Sequence, residues 1–468
     1  METTAAPPPL PPPAPEARTG RPRPADRDAG REVARALGEL TRLHGAVIDY
    51  SLERMDRLLA DLGRPERRLP AVIHVAGTNG KGSTLAIMRT LLEAGGRRVH
   101  SYTSPHLVRF NERIRLAGAG GSAPVTDAVL AEALGEVLDV NGGQPLTFFE
   151  GTTAAALLLF ARLPAEVVLL ETGLGGRCDA TNVVPEPAAT VVTSLSYDHQ
   201  AFLGRTIISI ALEKAGIFRR GVPAVLARQD FSEAARAIVR AAAQIGAPLR
   251  SAGPNFYAES CGDGFRYVAD GRTMDLPLPG LAGRYQIDNA AAAIAALEAA
   301  GLAPSREVLA RALPLVRWPG RLQRVEGGLG GRPGRGASLL VDGGHNPGAA
   351  QAVAAEIARL DAADPRRNLL VFGMLATKNP AGFLRPYRGL VEQAIAVPLA
   401  FAEGPAFSCE ELCASAADVG IACRPARSLD EAMELAARRA GRNPARIVVS
   451  GSLYLAGEVL ARAGLATG

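Results

Sequence analysis

The chain lacks the cysteine pattern of a stapled or zinc-bearing protein. Its five cysteines (Cys178, Cys261, Cys409, Cys413 and Cys423) are odd in number and include no C-x-x-C pair. That argues against a disulfide framework and against a zinc site, and it fits a reducing cytoplasm. Cys409 and Cys413, four apart on an expected helix, read as two small buried side chains rather than a ligand pair. No run of ~20 apolar residues occurs and no apolar h-region of the secretory type is present, so no membrane partner is expected. An excess of one charge is missing too: 52 Lys and Arg against 47 Asp and Glu leave only +5. The arginines are scattered rather than striped, so no nucleic-acid partner is expected, whereas nucleotides and carboxylates suit the mild positive balance.

The composition that is present, 47% apolar and 21% charged, describes a globular protein large enough for two or three cores. Residues 1–30, with PPPLPPPAP and TGRPRP, are expected to be a disordered tail, either a plain extension or a ligand for a proline-reading domain. Apolar residues at helical spacing follow (Val33, Leu37, Leu40, Leu43, then Leu52, Met55, Leu58, Leu59, Leu62), separated by a loop marked by Gly45 and Asp49. Beyond them, continuous apolar runs such as AVIHVAG, VVLLET, ATVVTSLS and PAVLAR alternate with helical segments at Thr152–Leu163 and Ile207–Ile217. Such runs are strands covered on both faces. Residues 255–279 alternate polar and aromatic side chains, the mark of a small antiparallel patch. A linker at Leu313–Arg321 carries the only tryptophan, and the rhythm restarts in SLLVDGG, NLLVFGM, QAIAVPLA and RIVVSGS. The expected fold class is α/β: a P-loop ATPase domain with a mostly parallel sheet at 31–316, and a smaller Rossmann-like α/β domain at 317–468.

The chemistry gathers at strand ends, where open α/β sheets bind ligands. AVIHVAGTNGKGST runs from a strand through a glycine-rich turn into a helix, offering backbone N–H groups to phosphate, a lysine charge at Lys81 and a hydroxyl at Ser83 or Thr84. It departs from G-x-x-x-x-G-K-[ST], because Val75 replaces the first glycine and Gly82 separates Lys81 from Ser83. His74, inside its strand, reads as core. Glu171, ending VVLLE, and His199, after ATVVTSLS, suit a divalent ion, with Mg²⁺ favoured beside phosphates. A lysine on a helix, such as Lys214, is ordinarily solvated.

GTNGKGST, SPHLVRFNERI, VVLLETGLGGRCDATN, the pair Asp198-His199, EKAGIF, WPGRLQ, DGGHNP and SGSLYLA occur in the order found in the folylpolyglutamate synthase/dihydrofolate synthase family of the Mur ligase superfamily, which residues 35–460 resemble. The resemblance implies a cytoplasmic, monomeric ATP-dependent amide ligase that phosphorylates the carboxylate of dihydropteroate or of a reduced folate and joins L-glutamate to it through an acyl phosphate. It implies ATP held by Thr78, Asn79, Gly80, Lys81, Gly82, Ser83, Asn289, Arg321 and Asp342. Two Mg²⁺ ions are implied at Ser104, Glu171, His199 and Ser83. Lys214 matches a lysine carboxylated by CO₂, and with Lys81 and His345 it forms the implied catalytic set. His345 and Ser452 resemble residues near the glutamate; Asp49, Tyr50, Phe148, Phe149, Glu150 and Arg177 resemble pterin-side contacts, although Phe148 and Phe149 equally suit a core. GMLATKNP, with Lys378 and Asn379, departs from the aspartate-lysine-aspartate run common in the family. A cell-wall Mur ligase would place a UDP-binding domain before the ATP loop, for which residues 1–75 leave little room. A non-catalytic nucleotide-binding regulator would lack the metal ligands or Lys214.

Overall fold

The computed structural model describes residues 24–43, 51–326, 337–400, 402, 404–441 and 444–465. Asp49, Tyr50 and most of the proline-rich tail lie outside them. The apolar runs form three sheets. The first holds β1 (Ala71–Ala76), β2 (Val99–Tyr102), β3 (Ile114–Leu116), β4 (Ala123–Pro124), β5 (Val167–Glu171), β6 (Ala189–Val192), β7 (Ala224–Leu226) and β8 (Leu249–Ser251) in the order β4-β3-β2-β5-β1-β6-β7-β8. The antiparallel pairings are β2 with β3 and β3 with β4, at one edge; the rest are parallel. The second sheet is the expected antiparallel patch, β9 (Phe256–Cys261), β10 (Gly264–Ala269) and β11 (Arg272–Pro277). The third contains β12 (Gln323–Val325), β13 (Ala337–Val341), β14 (Arg367–Phe372), β15 (Gln393–Ala396), β16 (Cys423–Pro425) and β17 (Ala445–Ser450), ordered β12-β13-β17-β14-β15-β16 and parallel except for β12.

Why β1 is central follows from its residues. Ile73 and Val75 pack on one face with the helices Lys81–Ala94 and Tyr285–Ala299, while Val72 joins the opposite core. His74 is buried as expected, its Nε2 2.8 Å from the Thr181 hydroxyl; burial, helped by the Arg219 charge, pushes its pKa down to about 3, so the ring is neutral. The two sheet systems meet along Leu313–Arg321, where the Trp318 ring packs beside the start of Lys81–Ala94.

Several expectations change in detail. A helix begins at Pro24, so residues 24–30 belong to it rather than to the tail. The helix expected from Thr152 starts at Phe148, because Thr147 and Glu150 form a capping box: each side chain accepts from the other's backbone N–H. Cys413 and Cys423 form a disulfide, contrary to the reading of the cysteine count, with Cα atoms 5.1 Å apart. Cys423 lies on edge strand β16 against the helix Cys409–Asp418, a proximity that sequence spacing does not reveal. Cys409 is buried as expected, and Cys178, Cys261 and Cys409 are free thiols. Among the described residues no helix is long and apolar enough to cross a membrane.

Candidate active site

The turn after β1 leads directly into a helix. Gly80 takes a left-handed conformation (φ 85°) and opens the helix Lys81–Ala94, which no side chain caps. The first-turn N–H groups of Lys81, Gly82 and Ser83 therefore have no helical acceptor, an arrangement that can receive a phosphate. Thr78 and Asn79 act otherwise than the motif suggests. Both of their backbone N–H groups donate to Ser194 O at 3.0 Å, anchoring the loop to the end of β6. The Asn79 side chain instead exchanges two hydrogen bonds with Asn346 of the second sheet system, at 3.2 and 2.9 Å.

Gly82, the residue that spoiled the generic motif, has a packing reason. A Cβ there would sit 2.7 Å from Trp318 Nε1. Gly82→Ala should therefore destabilise the protein by about 1–3 kcal/mol, the usual cost of overpacking, and raise the KM for ATP. Urea unfolding and steady-state kinetics test this, and Trp318→Leu in the same chain should recover part of both losses.

Two lysines converge on one oxygen. Lys81 Nζ donates to Gly77 O at 3.0 Å and Lys214 Nζ donates to the same atom at 2.9 Å. Lys214 is buried, not solvated as a helical lysine usually is; burial first, and the Lys81 charge second, push its pKa down to about 7. Glu171, at the end of β5, is also buried, with the Lys81 ammonium 3.8 Å from its carboxylate. Burial drives its pKa up to about 7 against the opposing charges of Lys81 and Arg321. A buried carboxylate so weakly compensated beside a phosphate cradle fits a divalent cation.

Among the described residues no three His, Cys, Asp or Glu side chains cluster as a metal site. Hydroxyls, phosphate and water would have to complete the set, which is the donor chemistry Mg²⁺ prefers. Ser104 gives its backbone N–H to Glu171. His199 is half-exposed, in a left-handed conformation (φ 51°).

The second sheet system closes the site. Asp342 is buried at the end of β13, accepting from Leu322 N at 2.9 Å and Gly344 N at 2.7 Å; burial raises its pKa and the Arg321 charge opposes this. Arg321 thus interacts with both Glu171 and Asp342. Asn289 is buried on the helix Tyr285–Ala299 and donates to Gln286 at 2.8 Å, and Gln286 lies 3.5 Å from the Ser83 hydroxyl. His345 Nε2 is 3.0 Å from Asp198 Oδ2 and its Nδ1 is 3.3 Å from Gly343 O. Both ring nitrogens face oxygen acceptors, which suits positioning better than proton abstraction. Burial alone would raise the pKa of Asp198. The His345 hydrogen bond and the charges of His345, His199 and Lys378 outweigh it and hold the carboxylate well below its usual range. Ser452 is buried and caps the helix Leu453–Arg462 by accepting from Tyr454 N at 3.1 Å.

The expected pterin-side residues are less united. Phe148 meets Phe110 edge-on at 5.9 Å, and Phe149 lies 5.9 Å from Tyr102, so both pack on the core around β2 and β5. Glu150 is occupied by its capping box and by Arg54 at 3.0 and 3.1 Å. Arg177 pairs with Glu213 at 2.6 Å on the surface. Asn346, Lys378 and Asp198 were not expected as site residues. Asn346 could have been found, since Asn-Pro is the start signal of the helix Pro347–Ala363.

Residues 75–297 match the Mur ligase middle domain and residues 320–453 match the Mur ligase, glutamate ligase domain. The chain is 37% identical over 380 residues to the dihydrofolate synthase/folylpolyglutamate synthase of Escherichia coli (strain K12), covering 81% of this chain and 83% of that one. A solved structure of E. coli FolC in complex with DHPP and ADP superposes with a TM-score of 0.81 at 33% identity, over 92% of this chain and 97% of that one. A bifunctional folylpolyglutamate synthase/dihydrofolate synthase with Mn, AMPPNP and L-glutamate bound gives 0.79 at 31% identity, with the same coverage.

Proposed function

The chain belongs to the dihydrofolate synthase/folylpolyglutamate synthase family of Mur ligases, and from that premise we propose how its own residues carry out the reaction. The enzyme is an ATP-dependent ligase that joins L-glutamate to folates. Its substrate carboxylate belongs to dihydropteroate or to the γ-carboxyl of a reduced folate, and its place of work is the cytoplasm. Residues 31–316 hold ATP and the acceptor; residues 317–468 bring the glutamate. The observation that carries this reading is the convergence of Lys81 and Lys214 on Gly77 O, with Glu171 3.8 Å from Lys81, beside the uncapped helix start at Lys81, Gly82 and Ser83.

A carboxylate oxygen is a poor leaving group, so it must first take the γ-phosphoryl group of ATP, releasing ADP. The cradle amides and Lys81 steady the charge that accumulates on the phosphoryl oxygens. Arg321 and Asp342 bring the second domain to the nucleotide, with Asn289 reaching it from the first. The amine of L-glutamate then attacks the acyl carbon, the amide bond forms and phosphate departs with the oxygen that came from the carboxylate. His345 and Ser452 orient the incoming glutamate. Mg²⁺, supplying charge neutralisation when bound, would be held by Glu171, His199, Ser104 and Ser83, with Lys214 as its carbamate adding an anionic ligand. Phe148 and Phe149, packed around β2 and β5, shape the wall of the approach for the pterin, with Glu150 fixing the start of their helix.

Oxygen tracing tests the route. With ¹⁸O in the dihydropteroate or folate carboxylate, one label should appear in released phosphate for each amide formed. Unlabelled phosphate alongside amide formation would reject the acyl phosphate.

A further inference from the structure

We propose that Asp198 is a positioning residue that latches the second domain onto the nucleotide site, using Lys378, His345 and Asn346 as its handles. The inference rests on the ligase reading and adds how the two halves of the site are made to assemble together. Asp198 follows β6 in the first domain, and its side chain is only 8% exposed. Its Oδ1 accepts from Lys378 Nζ at 2.7 Å; its Oδ2 accepts from His345 Nε2 at 3.0 Å and Asn346 Nδ2 at 3.3 Å. Those donors come from two separate loops, one after β13 and one after β14, which flank β17 in the third sheet. A single carboxylate therefore pins both loops at once. Lys378, the residue of the atypical ATKNP segment, is 9% exposed, so the ion pair is shielded from solvent on both sides.

The same carboxylate reaches back to the metal side. Asp198 Oδ1 also accepts the backbone N–H of His199 at 2.9 Å, and His199 is one of four non-glycine residues with positive φ among the described residues. A left-handed histidine is disfavoured unless its surroundings hold it. Asp198 supplies that restraint while occupied by the second domain. Docking of the second domain and the orientation of His199 are thus one event, and the ATP site is complete only when the glutamate-bearing domain is in place.

Lys378→Met and Lys378→Arg test the latch, with hydrogen exchange read at residues 194–199 and 343–348 in the presence of AMP-PNP and Mg²⁺. The methionine variant should lose protection in both segments together, by about tenfold, with a rise in the KM for Mg²⁺, and arginine should restore both. Asp198→Asn combined with Lys378→Met should be no worse than the worse single change, since both remove one device. Lys378→Gln, which removes the charge but keeps an N–H donor, should give a smaller loss in the same two segments and serves if the methionine variant does not fold. Unchanged protection overturns the latch, as does an additive double variant. A rise confined to the glutamate KM, with protection intact, also overturns it and makes Lys378 a substrate contact. Exchange needs no turnover, so the latch can fail while the ligase assignment stands, and the reverse.

Discussion

Lys81→Met is expected to slow glutamate ligation by about 10³-fold, the scale on which a single cation stabilises phosphoryl transfer. The geometry leaves this lysine free to act. Its hydrogen bonds go to two carbonyls, Gly77 O at 3.0 Å and Thr78 O at 3.4 Å, and its carboxylate neighbour Glu171 stands off at 3.8 Å. The charge is therefore aimed by the loop without being cancelled by a tight ion pair. It sits on the first residue of the helix whose amides form the cradle, so point charge and helix terminus act on the same phosphate. Methionine keeps the length of the side chain and removes only the charge. The loss should fall mainly on kcat, with an unchanged urea midpoint as the control for folding. A variant retaining a tenth of the wild-type rate would remove Lys81 from the phosphoryl-transfer step.

Lys214→Ala should cost about 10²-fold or more in kcat, for a different reason. Carboxylation needs a neutral amine to attack CO₂, forming a carbamate and releasing a proton. Burial and the Lys81 charge bring Lys214 to about 7, so the neutral form is abundant above that pH and scarce below it. The sign follows directly. Activity should fall as pH drops through about 7 and level off above it, and Glu171, pushed up to about 7, bends the profile the same way because its charged form is also lost on acidification. In bicarbonate-free buffer at pH 7.5 the wild type should slow and recover on adding bicarbonate, while Lys214→Ala should respond to neither. An alanine variant with full activity, or a wild type indifferent to CO₂ whose intact mass never includes it, would return Lys214 to an ordinary cationic role.

The main strands and the α/β rhythm were legible because strands covered on both faces are written as unbroken apolar runs, and β1, β5, β6, β14 and β17 are all of that kind. The phosphate loop was legible in its residues but not in its division of labour. Sequence cannot show that Ser194 O takes the amides of Thr78 and Asn79, nor that Trp318 lies over Gly82, since each contact joins segments more than a hundred residues apart. The capping role of Glu150 was hidden for a local reason: the helix start it caps lies four residues before the expected one. The Cys413–Cys423 pair escaped because two segments adjacent in the third sheet system look unrelated in spacing. Lys378 was noticed only as a departure, and its partner Asp198 only as the residue before a histidine. Nothing in a single chain pairs two charges across a domain boundary.

The central claim is that this cleft couples ATP cleavage to amide formation between a folate carboxylate and L-glutamate. Phosphate release from ATP and Mg²⁺, followed with each substrate supplied alone and then together, tests it most directly. The predicted result is one phosphate per glutamate incorporated, seen only when L-glutamate and either dihydropteroate or a reduced folate are both present. Equal phosphate release without them, or none with every acceptor offered, would contradict the account.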